Sequence, residues 1–314
     1  MMSNATTGPK LSLQAPAGFH PFTVGRLSCL TISDGFVATQ VETLGFAVEA
    51  DDIADHLRRR GHDVTEMRSQ ISCLLVADPE HGRTTLIDTG IGSMPGPTGA
   101  PLRTAGKLVE NLFAAGIDPG EVDTVLLSHL HPDHIGGAFD PAGQPTFPQA
   151  RLFAPEEEVA FWSADTPDLS RLLVPPEAAA DLVRSARKFI DRAGNRLHTF
   201  PAGSAPAPGI TAVGFPGHTP GQVGYLVESD GADLLYTADA FGHAVLSVEH
   251  PEWPFALDSD PETAVRTRQR LIVDLGARRG RFFTPHFPWP NLGRIGTVGT
   301  QAVWTAEPYD WPGQ

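Results

Sequence analysis

Along the first third of the chain, apolar residues come in short runs separated by turn signals. "RLSCLTISDGFV" contains an Asp-Gly pair, and "QISCLLVAD" and "TTLIDTG" follow with "PEHGR" between them. Runs of this length bounded by turn residues predict strands. The period then changes. In "LRTAGKLVENLFAAG", Leu108 and Leu112, and Val109 and Phe113, recur four residues apart, and Gly116 stands where a helix would end. "IDPGEVDTVLLSHLHPDH" predicts a turn, a buried strand and a polar segment. "PEEEVAFWSA" and "PPEAAADLVRSARKFIDRAG" predict helices, each opening with proline and acidic residues. "GITAVGFPGHTPG", "QVGYLVES" and "ADLLYTADA" predict short strands and loops. "SDPETAVRTRQRLIVDLGARRG" predicts a helix with Asp260 as N-cap and Pro261 in its first position. Strands and helices in this order predict a layered α/β body whose sheets are covered by helices.

Composition narrows the picture. The 314 residues, 41% of them hydrophobic, can bury a real core, and no repeat or long linker divides them. We expect residues 1–20 to form an extended or disordered arm and residues 21–314 a single domain. No run approaches the ~20 apolar residues that a membrane span needs, and "MMSNATTGPKLSLQAPAG" lacks the apolar stretch of a secretion signal. The two cysteines, Cys29 and Cys73, sit in apolar runs and predict small buried thiols, which points to a reducing, cytoplasmic setting. A formal charge of −14 argues against a nucleic-acid partner. The basic run "RRRGH" at 58–62 reads as a solvated helix end.

The densest chemistry is "SHLHPDHIGG", which directly follows the apolar "VDTVLL". His129, His131, Asp133 and His134 crowd four donors into six positions. Pro132 denies the segment a helix interior, so a loop anchored at a strand end is expected. Imidazole nitrogens and a carboxylate suit Zn²⁺ or a similar divalent cation, and four such donors serve two ions more easily than one. Three further donors, His218 in "FPGHTPG", Asp239 in "LLYTADAFG" and His286 in "FFTPHFPWP", recur where a predicted strand meets a loop.

With these pieces in view, the chain resembles the metallo-β-lactamase fold of dinuclear metal hydrolases. "HLHPDH" matches its signature, and "TTLIDTG", "GHTPG" and "YTADA" match its accompanying motifs in order. The resemblance runs from about Phe22 onward. It implies an αββα sandwich, with His129, His131 and His218 on one ion and Asp133, His134 and His286 on the other. Asp239 would bridge the two, and Asp88 would orient a ligating histidine from behind. Zn²⁺ is the first candidate, with Mn²⁺, Co²⁺ or Fe²⁺ as alternatives.

"TISDGFV", "FDPAGQPTFPQARLFAPEEEVAFW" and "ALDSDPETAVRTRQRLI" resemble the methyl parathion hydrolase-like branch, which includes lactonases. That similarity implies a homodimer hydrolysing neutral, apolar esters, lactones first, through a hydroxide held between the metals. Asp133 and Asp239 would be catalytic, and aryl phosphotriesters would be secondary substrates. The small acyl-homoserine lactonases have a tyrosine three residues after the bridging aspartate, whereas this chain has Gly242. Phe46, Trp162, Phe241, His243 and Trp289 are candidates for the substrate pocket. Residues 44–70 would form an arm over the site or a dimer contact. Two rivals stay open: an organophosphate, carboxyl or carbonate ester hydrolase with little lactonase activity, and a metal-stabilised binding protein without activity. No G-x-S-x-G elbow offers a serine nucleophile instead.

Overall fold

Successive side chains of β3 (Met67–Asp78) point in opposite directions, and both directions are buried. Leu74 and Val76 pack with Tyr225, Val227, Leu234 and Phe283, whereas Cys73 and Leu75 pack with Leu108, Leu112 and Phe189. A strand covered on both faces places apolar residues at nearly every position, which is why "ISCLLV" shows no alternation and only the buried Ser72 interrupts it. The computed structural model describes residues 18–39, 48–65, 67–94 and 102–308.

Two sheets face each other. The first follows chain order: β1 (Phe19–Val24), β2 (Leu27–Thr39), β3, β4 (Arg83–Ile87), β5 (Thr124–Leu126), β6 (Arg151–Pro155) and β7 (Leu197–Phe200). Pairing is antiparallel as far as β4 and parallel from β4 to β7. The second comprises β8 (Ile210–Gly214), β9 (Val223–Ser229), β10 (Ala232–Tyr236), β11 (Phe282–Phe283), β12 (Leu292–Val298) and β13 (Gln301–Ala306). Within it, β10 and β11 run parallel.

Helices cover the outer faces. Leu112 of α2 (Leu108–Ala114), Trp162 of α4 (Glu156–Ser163) and Phe189 of α5 (Pro176–Ala193) pack on the first sheet. Leu271 and Leu275 of α7 (Pro261–Arg278) pack on the second, each contributing about 1.5–3 kcal/mol by burial. The layers run α, β, β, α, as expected. The α7 N-cap is also as read from sequence, since the Asp260 side chain accepts the Thr263 N–H. Both cysteines are buried. Among the described residues, no helix is long and apolar enough to cross a membrane.

Of the expected arm, residues 1–17 lie outside the described residues, while Phe19 and His20 already belong to β1. In the segment 44–70, α1 (Ala50–Arg59) lays Ile53, Ala54 and Leu57 on Met67, on Val245 and on Leu246 at the start of α6 (Leu246–Glu249), all of its own chain. The basic run at its end is exposed throughout, as expected from sequence; Arg58 pairs with Asp55, and Arg60 also reaches the buried Glu249 at 2.9 Å.

Candidate metal centre

The parallel pairs β4–β5 and β10–β11 each end their two strands at one edge, and the ligand candidates follow those ends. Asp88 follows β4, His129 and His131 follow β5, Asp239 follows β10 and His286 follows β11. His218 comes from the loop between β8 and β9. Contrary to the expected loop, residues Pro132–Ile135 form a short helix, α3. Pro132 occupies its first position, where a missing N–H costs nothing, so the proline starts the turn instead of breaking it. The two glycines after it allow close contact. A Cβ at Gly137 would stand 2.0 Å from the Thr89 carbonyl oxygen, and one at Gly136 2.2 Å from that of Ile91. With α3 pressed onto this loop, the Thr89 N–H donates to the His134 carbonyl at 2.7 Å.

Seven side chains named from sequence meet here. Ligand atoms of His129, His131 and His218 lie within 4.8 Å of one another, as do those of Asp133, His134 and His286, and of His129, His134 and Asp239. Asp239 stands between the sets. Its Oδ1 is 3.2 Å from His134 Nε2, and its Oδ2 is 3.1 Å from His286 Nε2 and 3.5 Å from His218 Nε2.

Behind these candidate donors, hydrogen bonds hold the far nitrogens of four rings. His134 Nδ1–H donates to Asp88 Oδ2 at 2.7 Å, and His286 Nδ1–H to the Gln70 carbonyl at 2.7 Å. His218 Nδ1 faces Asp258 at 3.3 Å, and His129 Nδ1 faces the Ser128 hydroxyl at 3.1 Å. Each bond fixes a tautomer that turns an Nε2 lone pair inward. Asp88 also accepts from the Ser128 N–H and hydroxyl and from the Tyr236 hydroxyl, and it adopts a left-handed φ of 60°. An aspartate held there by four donors marks a fixed support.

The donor set fits a divalent cation. His129 Nε2 is buried with no hydrogen-bond partner, and His134 Nε2 and Asp239 Oδ1, buried 3.2 Å apart, make no aligned hydrogen bond, an arrangement that is costly unless something positive completes it. Electrostatics point the same way. Burial, then His134 and His131, hold His129 well below the usual histidine range. For His286, burial lowers the imidazole but Asp239 outweighs it, lifting it to about 9. The carboxylates draw positive charge, and a metal ion competes with protons for the same lone pairs.

The described pocket candidates differ in burial. Trp162 is fully buried behind His131, ring centroids 5.7 Å apart, and Phe241 is sealed among Phe282 and Phe287. Rings without exposed surface cannot wall an open pocket, so these two are corrected to supporting positions. His243 accepts the Val245 and Leu246 N–H groups on Nδ1, and burial and His62 push its imidazole down to about 3. Trp289 is half-buried next to the loop that carries His286. Phe46 lies outside the described residues.

Sequence reasoning missed Ser128, Tyr236, Asp258 and Phe255. Phe255 is half-buried, with its ring stacked on His218 at 6.1 Å. It also lies 3.7 Å from where a Cβ at Gly242 would stand, so this ring fills space beside the missing tyrosine position. Nothing local distinguishes Phe255 from an ordinary core phenylalanine.

Comparison with known proteins identifies the family. The metallo-beta-lactamase superfamily model matches residues 67–286. Uncharacterized protein YobT from Bacillus subtilis (strain 168) is 28% identical over 207 residues, covering 64% of this chain and 77% of that protein. Among solved structures, AidC, a dizinc quorum-quenching lactonase in complex with a product, is 26% identical with a TM-score of 0.85, over 93% of this chain and 98% of that one. The hydrolase AbOPH of the beta lactamase superfamily shares the fold at 24% identity and a TM-score of 0.83, over 95% of this chain and 100% of its own.

Proposed function

The chain belongs to the metallo-β-lactamase superfamily as a metal-dependent hydrolase, and on that premise we propose that it opens neutral, apolar lactones, with aryl phosphotriesters as secondary substrates. The observation that carries this reading is Asp239, whose two carboxylate oxygens reach histidines of both donor sets. The resemblance to a dizinc lactonase over 93% of the chain supports it.

On this reading His129, His131 and His218 hold one ion, and Asp133, His134 and His286 hold the other, with Asp239 shared. Zn²⁺ is favoured by the imidazole-rich set, and Mn²⁺, Co²⁺ or Fe²⁺ would also fit. When bound, such ions supply an acidified water and polarise the substrate's carbonyl or phosphoryl oxygen. The chain supplies the rest. Asp88, Asp258 and the Gln70 carbonyl keep the rings aimed. Asp133 has 27% of its side chain exposed, against 9% for His286 and 8% for Asp239, so it is the carboxylate best placed to meet substrate.

In lactone opening, the oxygen of water joins the carbonyl carbon and the ring C–O bond breaks. The proton lost by water ends on the departing ring oxygen, and Asp133 can carry it. Neither cysteine competes as nucleophile. Burial pushes the Cys29 thiol up to about 12 and holds that of Cys73 well above its ordinary value. A chain of formal net charge −14 offers no general attraction to anionic substrates, which favours neutral ones.

The test is metal content per chain, together with turnover of a lactone panel and an aryl phosphotriester before and after chelation. Two ions and faster lactone turnover, lost on chelation, are expected. Phosphotriester turnover alone would instead identify the dedicated ester hydrolase.

A further inference from the structure

Glu158 is a carboxylate with no exposed surface, and it belongs to neither donor set. It lies in α4, outside the ligand loops, yet three N–H donors converge on it. Its Oε2 accepts the Leu130 N–H at 3.1 Å and the Trp162 indole N–H at 2.9 Å, and its Oε1 accepts the Gly221 N–H at 3.0 Å. Leu130 sits between His129 and His131, and Gly221 lies three residues after His218. One carboxylate therefore ties together the two loops that carry all three of these histidines.

Other contacts share this design. A Cβ at Gly221 would stand 2.4 Å from the Glu158 backbone nitrogen, so only glycine lets the His218 loop approach α4 this closely. Trp162, held by the same Oε2, packs on the His131 ring, and His131 Nδ1 lies 2.9 Å from His218 Nε2. The Val223 N–H joins the Ser128 carbonyl at the base of the loops, while Glu158 joins them beside the histidines themselves.

We propose that Glu158 is a positioning residue that sets the spacing of His129, His131 and His218, and so controls the affinity of that half of the site and not of the half formed by Asp133, His134 and His286. The proposal rests on the two-ion reading above but not on the identity of the substrate. All three partners are donors, so a carboxylate is required. An amide at this position would turn an NH₂ group against an N–H.

The test is a chelator competition on Co²⁺-loaded protein, read by the Co²⁺ absorption spectrum and by metal content, for wild type and Glu158→Gln. His218→Ala identifies the signal of the three-histidine half. In Glu158→Gln we expect that ion to bind about 10–100-fold more weakly, the range for groups that orient ligands, while the other ion is retained. Should Glu158→Gln fold poorly, Trp162→Phe removes one donor and is expected to give a smaller loss confined to the same ion. Equal weakening of both ions, or a lowered melting temperature with both affinities unchanged, would overturn the proposal. A wild-type chain that binds fewer than two ions would overturn the two-ion reading itself, and this is seen before any variant is measured.

Discussion

Asp88 and His134 face each other across 2.7 Å, with 2% of each side chain exposed. The aspartate is fixed by the Ser128 backbone and hydroxyl and by the Tyr236 hydroxyl, so the imidazole it holds has a single orientation. Asp88→Asn keeps the shape but must turn an NH₂ toward one of these donors. Metal affinity should fall about 10–100-fold, measured by competition with a chromophoric chelator. Unchanged affinity would remove Asp88 from the support of this centre.

Replacement of Asp239 should be more severe, because it contacts histidines of both donor sets directly. Asp239→Ala is expected to cost more than the ~100-fold upper range for indirect supports, in kcat/KM for the best lactone. The fold should persist, which circular dichroism would show.

Stability should depend on pH through Asp34. This fully buried side chain in β2 accepts N–H bonds from Leu108, Ile91 and Gly92. Burial outweighs those bonds and pushes its carboxyl up from 3.8 to about 6. A folded value above the unfolded one means that the folded chain binds the proton more tightly. The contribution is therefore complete below about pH 4 and is lost as pH rises through about 6, a change of about 3 kcal/mol. Denaturant midpoints from pH 4 to 7 should show this slope in wild type, and Asp34→Asn should lack that part of it.

Gly137→Ala tests the packing of α3. The new methyl would meet the Thr89 carbonyl oxygen at 2.0 Å, a backbone atom that cannot swing aside. A loss of about 1–3 kcal/mol in urea unfolding is expected, with weaker metal binding, because His134 rides on the same turn.

Much of this protein is written locally. Turn-bounded apolar runs encode the strands, and four-residue repeats with caps encode helices such as α7. The donors themselves are visible because His129, His131, Asp133 and His134 crowd one strand end, and His218, Asp239 and His286 recur in that setting. What surrounds them is decided by chain-distant contacts. His286 leans on a carbonyl 216 residues away, and His218 on a carboxylate 40 residues away. No sequence period records such pairs. Trp162 and Glu158 show the same limit, since "PEEEVAFW" reads as a helix either way, and only the close approach of Gly221 and Leu130 makes Glu158 a tie between the histidine-bearing loops. Pro132 shows its reverse. The residue was legible, but whether it ends a helix or begins one depended on the packing that Gly136 and Gly137 permit. Local propensity selects the elements, and the long-range fit of loops at one sheet edge makes them a site.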